Sequence, residues 1–171
     1  MQVEINRMNV RKADKKDIID IQIIAEAAWR PTYLHIIGEE QCAYMLEWMY
    51  NRKKLEEQMD AGIHFFIAEN DQREAIGFAA FEKTEAAKGK LHKLYTHPDK
   101  KEIGCGTLLL ESVKNLAFLQ DVKTIELNVN RHNSAYMFYL KKGFKVASEI
   151  DLEIGNGYFM NDFVMELVLN N

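Results

Sequence analysis

Apolar and polar residues alternate strictly between Thr124 and Asn130, where Ile125, Leu127 and Val129 occupy every second position. A period of two places these three side chains on one face of an extended chain and the polar residues on the other. The segment therefore predicts a strand with one buried face.

A spacing of three and four residues marks the apolar positions after Asp14, and this spacing predicts a helix with one apolar face. Asp14 is a favourable N-cap residue because its carboxylate can accept hydrogen bonds from the first free N–H groups of a helix. Pro31 is expected to limit this helix, because a proline disfavours the helical conformation in the residue before it. The apolar face comprises Ile18, Ile21, Ala25, Ala28 and Trp29.

The rest of the chain adds short strands and helices without repeats, and we expect residues 1–171 to form a single domain. Hairpins at both ends and one strand–helix–strand crossover, expected to be parallel and right-handed, predict a mixed α/β fold of the α+β type. The remaining strands are predicted at Val3–Arg11, Ile63–Asn70, Ala75–Lys83, Leu91–Thr96, Lys145–Glu153 and Phe159–Leu169, and the remaining helices within Glu39–Met49 and Arg52–Asp60, up to about Gln120, and after Asn133.

Two glycines, Gly104 and Gly106, stand at the start of the helix that follows the fourth strand. Free N–H groups converge at a helix N-terminus, and glycine lets a phosphate approach the backbone without a Cβ in the way. The loop therefore predicts a phosphorylated ligand. Two nucleotide-binding motifs fit the loop less well. The chain has no Gly-Lys-Ser/Thr triplet, which a Walker loop requires, and Leu109 stands where a dinucleotide-binding fingerprint would have its third glycine.

The segment Lys101–Gly106 has a basic residue, two spacers, glycine, a spacer and glycine, and it follows His97-Pro98-Asp99. This pattern resembles the acetyl-coenzyme A (acetyl-CoA) loop of the GNAT N-acetyltransferases. Further along, Asn133–Phe144 resembles the closing helix of that family, with Tyr139 on its inner face and Gly143 near its end. The two patterns in this order are more specific than either alone.

Three further segments resemble a bacterial subgroup of this family that includes polyamine acetyltransferases of the PaiA kind. They are Trp29–Tyr33, Tyr44–Leu46 and Gly155–Tyr158. The resemblance implies a central mixed, mostly antiparallel sheet of about seven strands flanked by helices. It also implies direct transfer of acetyl from acetyl-CoA to a primary amine of a small molecule or a protein terminus.

The resemblance further implies roles for individual residues. Tyr139 matches the general acid of the family, and Trp29 and Tyr33 follow the helix beside which the family builds its acceptor site. The implied coenzyme-binding residues are Leu94, Tyr95 and Thr96 on the fourth strand, Lys101, Glu102, Ile103, Gly104, Cys105, Gly106 and Thr107 in the loop, and Asn133. The general base stays open among Glu82, His92 and an ordered water.

The composition of the chain restricts the classes of ligand and partner that it can be expected to bind. The formal net charge of −4 argues against a nucleic-acid binder and favours cationic amines over anionic substrates. Two cysteines, Cys42 and Cys105, suit a reducing cytoplasm, and no apolar run approaches the ~20 residues of a membrane span. None of the spacings among the five histidines matches a ligand motif, so no metal is predicted.

Two other functions stay open at this stage. The first is a catalytically idle member of the same fold that binds acyl-CoA as a sensor or partner module. The second is a nucleotide binder that uses the same glycine loop. Because dimerisation is common in the resembled family, a homodimer is compatible with either function.

Overall fold

The computed structural model describes residues 8–100 and 102–170. Its strands are β1 (Asn9–Lys12), β2 (His64–Glu69), β3 (Ala75–Lys83), β4 (Lys88–Thr96), β5 (Thr124–Asn130), β6 (Lys145–Glu153) and β7 (Phe159–Val168). Its α-helices are α1 (Ile18–Tyr50), α2 (Arg52–Asp60), α3 (Cys105–Leu119) and α4 (Ala135–Lys141).

The seven strands form one sheet in the order β1-β2-β3-β4-β5-β7-β6. Every neighbouring pair is antiparallel except β4 and β5, which are parallel and are joined by α3. The predicted mixed, mostly antiparallel fold is therefore confirmed. The bounds of β5 coincide with the alternating segment, whereas part of the predicted first strand, from Val3 to Arg7, lies outside the described residues.

A hydrophobic core fills the space on each side of the sheet. Helices α1 and α2 cover one face, hereafter the α1 face, where Trp29, Phe65 and Phe78 are fully buried. Helix α3 and the short α4 cover the opposite face, where Phe81, Leu109 and Phe144 are fully buried. The alternating residues of β5 point to this second core, so the polar residues between them point to the α1 face.

The prediction that Pro31 limits the first helix is wrong. Helix α1 continues through Pro31 to a kink at Gly38, whose backbone has φ 80° and ψ 169°. A proline removes the backbone donor that would bond the Ala27 carbonyl, and one residue further on the Thr32 hydroxyl donates to the Ala28 carbonyl at 2.8 Å. Just beyond the proline, Tyr33 is only 4% exposed, so burial of its ring favours continued helix.

Asp14 caps the start of this helical segment as predicted. Its carboxylate accepts a hydrogen bond from the Lys16 N–H at 2.7 Å, while Asp17 accepts one from the Asp14 N–H at 2.8 Å. This reciprocal pair opens a single 3₁₀ turn, Lys15–Asp17, which leads directly into α1.

Candidate active site

The sheet divides between β4 and β5. The two strands pair from Lys88 and Thr124 to Leu91 and Leu127, and pairing then stops. At this point β4 carries a β-bulge: Phe81 of β3 pairs with Leu91 and Ala80 pairs with Lys93, which leaves His92 as the extra residue. The part of β4 beyond Leu91 therefore has backbone groups that face β5 without pairing to it.

A cleft of about 810 Å³ occupies this division in the sheet. It brings together α1, the end of β4, the loop before α3, the end of β5 and helix α4. Of the predicted coenzyme residues, those that line the cleft are Leu94, Tyr95, Thr96, Glu102, Ile103, Gly104, Cys105, Gly106, Thr107 and Asn133. Lys101, the remaining one, lies outside the described residues.

The N-terminus of α3 supplies the anion-binding groups. Gly104 has a φ of 90°, a left-handed conformation in which glycine is strongly favoured. Cys105 donates its N–H to the Glu102 carbonyl at 3.1 Å, and the next such bond runs from Leu108 to Gly104 at 2.9 Å. Gly106 and Thr107 therefore lie in the first turn, where N–H groups have no carbonyl partner within the helix and are free for a ligand.

The Cys105 thiol lies within this loop but is buried rather than reactive. Burial raises its pKa to about 11, so the thiol stays protonated at neutral pH.

Tyr139 enters the cleft from α4 and is 7% exposed. Its ring packs edge-on against Phe138 and Phe144, with centroids 5.3 and 5.5 Å away. Burial raises the pKa of the Tyr139 phenol above its usual value, so the hydroxyl carries its proton at neutral pH. The predicted general acid is thus in the cleft and in its proton-donating form.

The two predicted acceptor-site residues are placed differently. Tyr33 lines the cleft, and its hydroxyl accepts a hydrogen bond from the Asn133 side chain at 3.0 Å. Trp29 does not line the cleft: it is 1% exposed and packs behind Tyr33, with ring centroids 4.3 Å apart. Tyr33 therefore connects α1 to the loop before α4, while Trp29 supports it from the core.

Sequence reasoning missed a polar network on the α1 face of the sheet. Asn128 lines the cleft, and its Oδ1 accepts a hydrogen bond from Lys90 Nζ at 2.9 Å. Burial raises the pKa of Asp162 on β7 to about 6, and the Asn128 amide opposes this shift. The alternating pattern of β5 does identify Asn128 as a polar position facing away from the second core. It does not show which residues Asn128 contacts.

Two candidates for the general base contact each other. Glu82 Oε2 lies 2.9 Å from His92 Nε2, and His92 lines the cleft at the bulge of β4. Among residues 8–100 and 102–170, no group of three or more His, Cys, Asp or Glu side chains could hold a metal ion. In the same residues, none of the helices combines the length and the hydrophobicity needed to cross a membrane.

Comparisons with known proteins agree with this geometry. A family model described as an acetyltransferase (GNAT) domain matches residues 33–159. The structure of PaiA N-acetyltransferase from Thermoplasma acidophilum in complex with coenzyme A is 27% identical with a TM-score of 0.80, covering 95% of this chain and 99% of that chain. No curated protein matches the sequence.

Two more distant structures show the same fold. YncA from Salmonella typhimurium, with its cofactor acetyl-CoA, is 20% identical with a TM-score of 0.68, covering 96% of this chain and 95% of that chain. The ribosomal-protein-S18-alanine N-acetyltransferase from Escherichia coli is 18% identical with a TM-score of 0.70, covering 95% of this chain and 94% of that chain.

Proposed function

The chain belongs to the GNAT acetyltransferase family, and on that premise we propose that it moves acetyl from acetyl-CoA to a primary amine of a small molecule, with polyamines as the first class to test. The observation that carries the proposal is the cleft at the division between β4 and β5. It joins an anion-binding helix N-terminus, unpaired strand backbone and a protonated tyrosine.

The residues present fit a bound coenzyme. The first-turn N–H groups at Gly106 and Thr107 would hold pyrophosphate oxygens, and the Gly104 backbone keeps the loop open in front of them. The backbone of Leu94–Thr96 pairs with β3 but not with β5, and its groups on the β5 side would hold the pantetheine arm by strand-like hydrogen bonds. When bound, acetyl-CoA supplies the acetyl group as a thioester.

Two groups on the cleft wall would then assist the transfer. The N–H of Leu94 or Tyr95 would donate to the oxygen that becomes negative as the amine attacks, and such a donor typically contributes about 3 kcal/mol to lowering the barrier. Tyr139 would donate its proton to the departing thiolate, because burial keeps the phenol protonated until a strong base forms beside it.

Charge on the α1 face supports a cationic acceptor. Glu126 on β5 and Asp162 on β7 alternate with residues of the second core and so point to the α1 face, as Glu82 on β3 does. Of the nearby cations, Lys90 is already paired with Glu126 at 3.3 Å. Glu126 is shared with Lys90 and Asp162 is buried, so Glu82 is the carboxylate of the three that an approaching amine can meet, in a protein with a net charge of −4.

Contacts across the α1 face support a small acceptor rather than a polypeptide. The second half of α1 reaches the turn between β6 and β7, where Gln41 donates to the Phe159 carbonyl at 2.8 Å and Tyr44 donates to the Ile154 carbonyl at 3.1 Å. The Tyr44 ring also packs against Tyr158, with centroids 5.4 Å apart. These contacts join two elements that a polypeptide lying across this face would have to separate.

Thermal unfolding with acetyl-CoA, ATP and NAD tests the first step of the proposal. A ligand at ~100 times its dissociation constant should stabilise the protein by about 2.7 kcal/mol, and we expect this effect from acetyl-CoA alone. A matching shift with ATP or NAD would instead support the nucleotide binder.

Release of free coenzyme A thiol with a panel of amines tests the second step, beginning with spermidine and including a peptide with a free N-terminus. We expect turnover with small amines and little with the peptide. Tight binding of acetyl-CoA without turnover on any amine would support the idle sensor.

A further inference from the structure

We propose that His92 is the general base of this acetyltransferase and that Glu82 positions it, an inference that rests on the proposed function. The imidazole stands at the bulge of β4, where the sheet divides, and it lines the same cleft as Tyr139. It is one of the few side chains in the cleft that can accept a proton near neutral pH.

The contact with Glu82 fixes which nitrogen is available. Glu82 Oε2 lies 2.9 Å from His92 Nε2, and a carboxylate can only accept a hydrogen bond. Nε2 therefore carries the ring proton and donates it to Glu82, which leaves Nδ1 with a free lone pair. Glu82 sets the tautomer and the ring orientation in this way, and it acts through His92 rather than on the substrate.

Burial and the charges around His92 together lower its pKa, which favours the neutral ring that a general base needs. Burial is the largest influence and lowers the pKa of His92, while the hydrogen bond that His92 donates to Glu82 on β3 raises it. Lys90 and Lys93 on β4 lower the pKa further. On β5, Glu126 is paired with Lys90 at 3.3 Å and reduces the effect of that ammonium.

Other titratable groups near the cleft are less suitable. Lys93 is buried, and its Nζ is turned towards Gln58 on α2 at 3.2 Å and towards the Tyr50 ring. Asp162 is buried, and its Oδ1 has neither solvent contact nor a hydrogen-bond partner among the described residues. His35 and His132 also line the cleft, but among the described residues no carboxylate contacts either ring. His92 combines a position on the cleft wall with a carboxylate that sets its tautomer.

The acceptor enters as an ammonium and gives one proton to His92 Nδ1, which forms the neutral amine. The nitrogen lone pair forms the C–N bond to the thioester carbonyl carbon, the C–S bond breaks, and the thiolate takes the Tyr139 proton. The second nitrogen proton restores the tyrosine through solvent, and the imidazolium releases its proton to water, so one proton leaves in total.

His92→Gln tests the assignment, with His64→Gln as the matched control. His64 lies on β2 outside the cleft, where its ring contacts Gln120. With saturating acetyl-CoA, we expect His92→Gln to lower kcat by roughly a hundred- to a thousand-fold and to remove the acidic limb of the pH profile of kcat/KM. The melting shift given by acetyl-CoA should be unchanged, and His64→Gln should behave as the wild type.

Two further measurements separate catalysis from structure. Glu82→Gln removes a contact that raises the pKa of His92, so the acidic limb should move to lower pH while kcat falls by less than in His92→Gln. An amine of low basicity, already neutral at the assay pH, should lose less turnover in His92→Gln than spermidine does. The Glu82→Gln profile also provides the test if His92→Gln does not fold.

Failure of the inference differs from failure of the proposed function. An active wild type whose pH profile does not move in Glu82→Gln, or whose turnover and acidic limb survive in His92→Gln, would overturn the role of His92. A wild type that neither binds acetyl-CoA nor acetylates any amine would instead overturn the proposed function.

Discussion

Lys93 is a buried cation whose replacement should stabilise the protein. Its residue is 5% exposed, and its Nζ contacts Gln58 Oε1 at 3.2 Å and lies 5.5 and 6.0 Å from the ring centroids of Tyr50 and Phe65. Among residues 8–100 and 102–170, no carboxylate forms an ion pair with it. Burial lowers the pKa of Lys93 from 10.5 to about 8.

This pKa gives the size of the effect. A fall from 10.5 to about 8 corresponds to about 3 kcal/mol of unfavourable free energy for the charged form, at about 1.36 kcal/mol for each pH unit. Lys93→Met keeps the apolar stem and removes the charge, but it also loses the hydrogen bond to Gln58 and the ring contacts, which together contribute about 2 kcal/mol. We therefore expect a net gain of about 1–2 kcal/mol at pH 7.

The gain must depend on pH in one direction. The folded pKa lies below the unfolded one, so between about pH 8 and 10.5 the unfolded chain binds more protons, and wild-type stability rises with pH across this window. The advantage of Lys93→Met should be complete below about pH 8 and should shrink towards pH 10.5.

Urea or thermal unfolding at pH 7 and pH 10 measures this difference, and a gain of 1–2 kcal/mol corresponds to roughly 3–6 °C in Tm. Lys114→Met is the control, because Lys114 is a surface residue paired with Glu111 on the same helix. Lower stability of Lys93→Met at pH 7 would refute the reasoning, as would the same gain at both pH values.

Three further changes test the cleft and the buried charge beneath it. Tyr139→Phe should lower kcat by roughly ten- to a thousand-fold while the acetyl-CoA melting shift is kept; unchanged turnover would remove Tyr139 from the mechanism. Gly104→Ala should lower the free energy of unfolding by about 1–2 kcal/mol, because the φ of Gly104 is 90°. Gly106→Ala should be neutral or stabilising, because the added Cβ would lie 3.5 Å from the Phe138 ring, which is an ordinary contact. Equal melting temperatures for the two variants would contradict this prediction. Asp162→Asn should stabilise the protein by about 1 kcal/mol above pH 6, where the wild-type carboxylate is charged. Because the pKa of Asp162 is higher in the folded state, the wild type loses stability as pH rises from 3.8 to about 6, and the gain from Asp162→Asn should shrink towards pH 3.8. Urea unfolding at pH 4 and pH 8 tests this, and a larger gain at pH 4 than at pH 8 would contradict it.

The sequence predicted the fold where a single local pattern decides the structure. Strict alternation fixed both ends of β5, and the glycine pair correctly marked the start of α3. Local rules failed where packing decides: α1 continues past Pro31 because burial of Tyr33 outweighs one lost hydrogen bond. The bulge at His92 carries no local signal, since it results from the pairing of β4 with both of its neighbours.

The candidate site divides in the same way. Residues that act through their backbone or lie in one short motif, such as Gly104 and Tyr139, could be predicted because spacing along the chain sets their position. The contact between Glu82 and His92 could not, because it depends on the register of β3 against β4. Sequence alone therefore left the base open among candidates that the structure combines into one pair.

On the proposed function, the division between β4 and β5 also keeps the acid and the base from competing for one proton. Tyr139 belongs to the core on the side of α3 and α4, whereas His92 contacts Glu82, which points to the α1 face. On the proposed function, a thioester in the gap would have the acid on one side of the sheet and the base on the other. If β4 and β5 paired beyond Leu91 and Leu127, the sheet would close the gap between them. Because the pairing ends early, an amine on the α1 face could reach the carbonyl of a thioester in this gap while the leaving thiolate faces Tyr139.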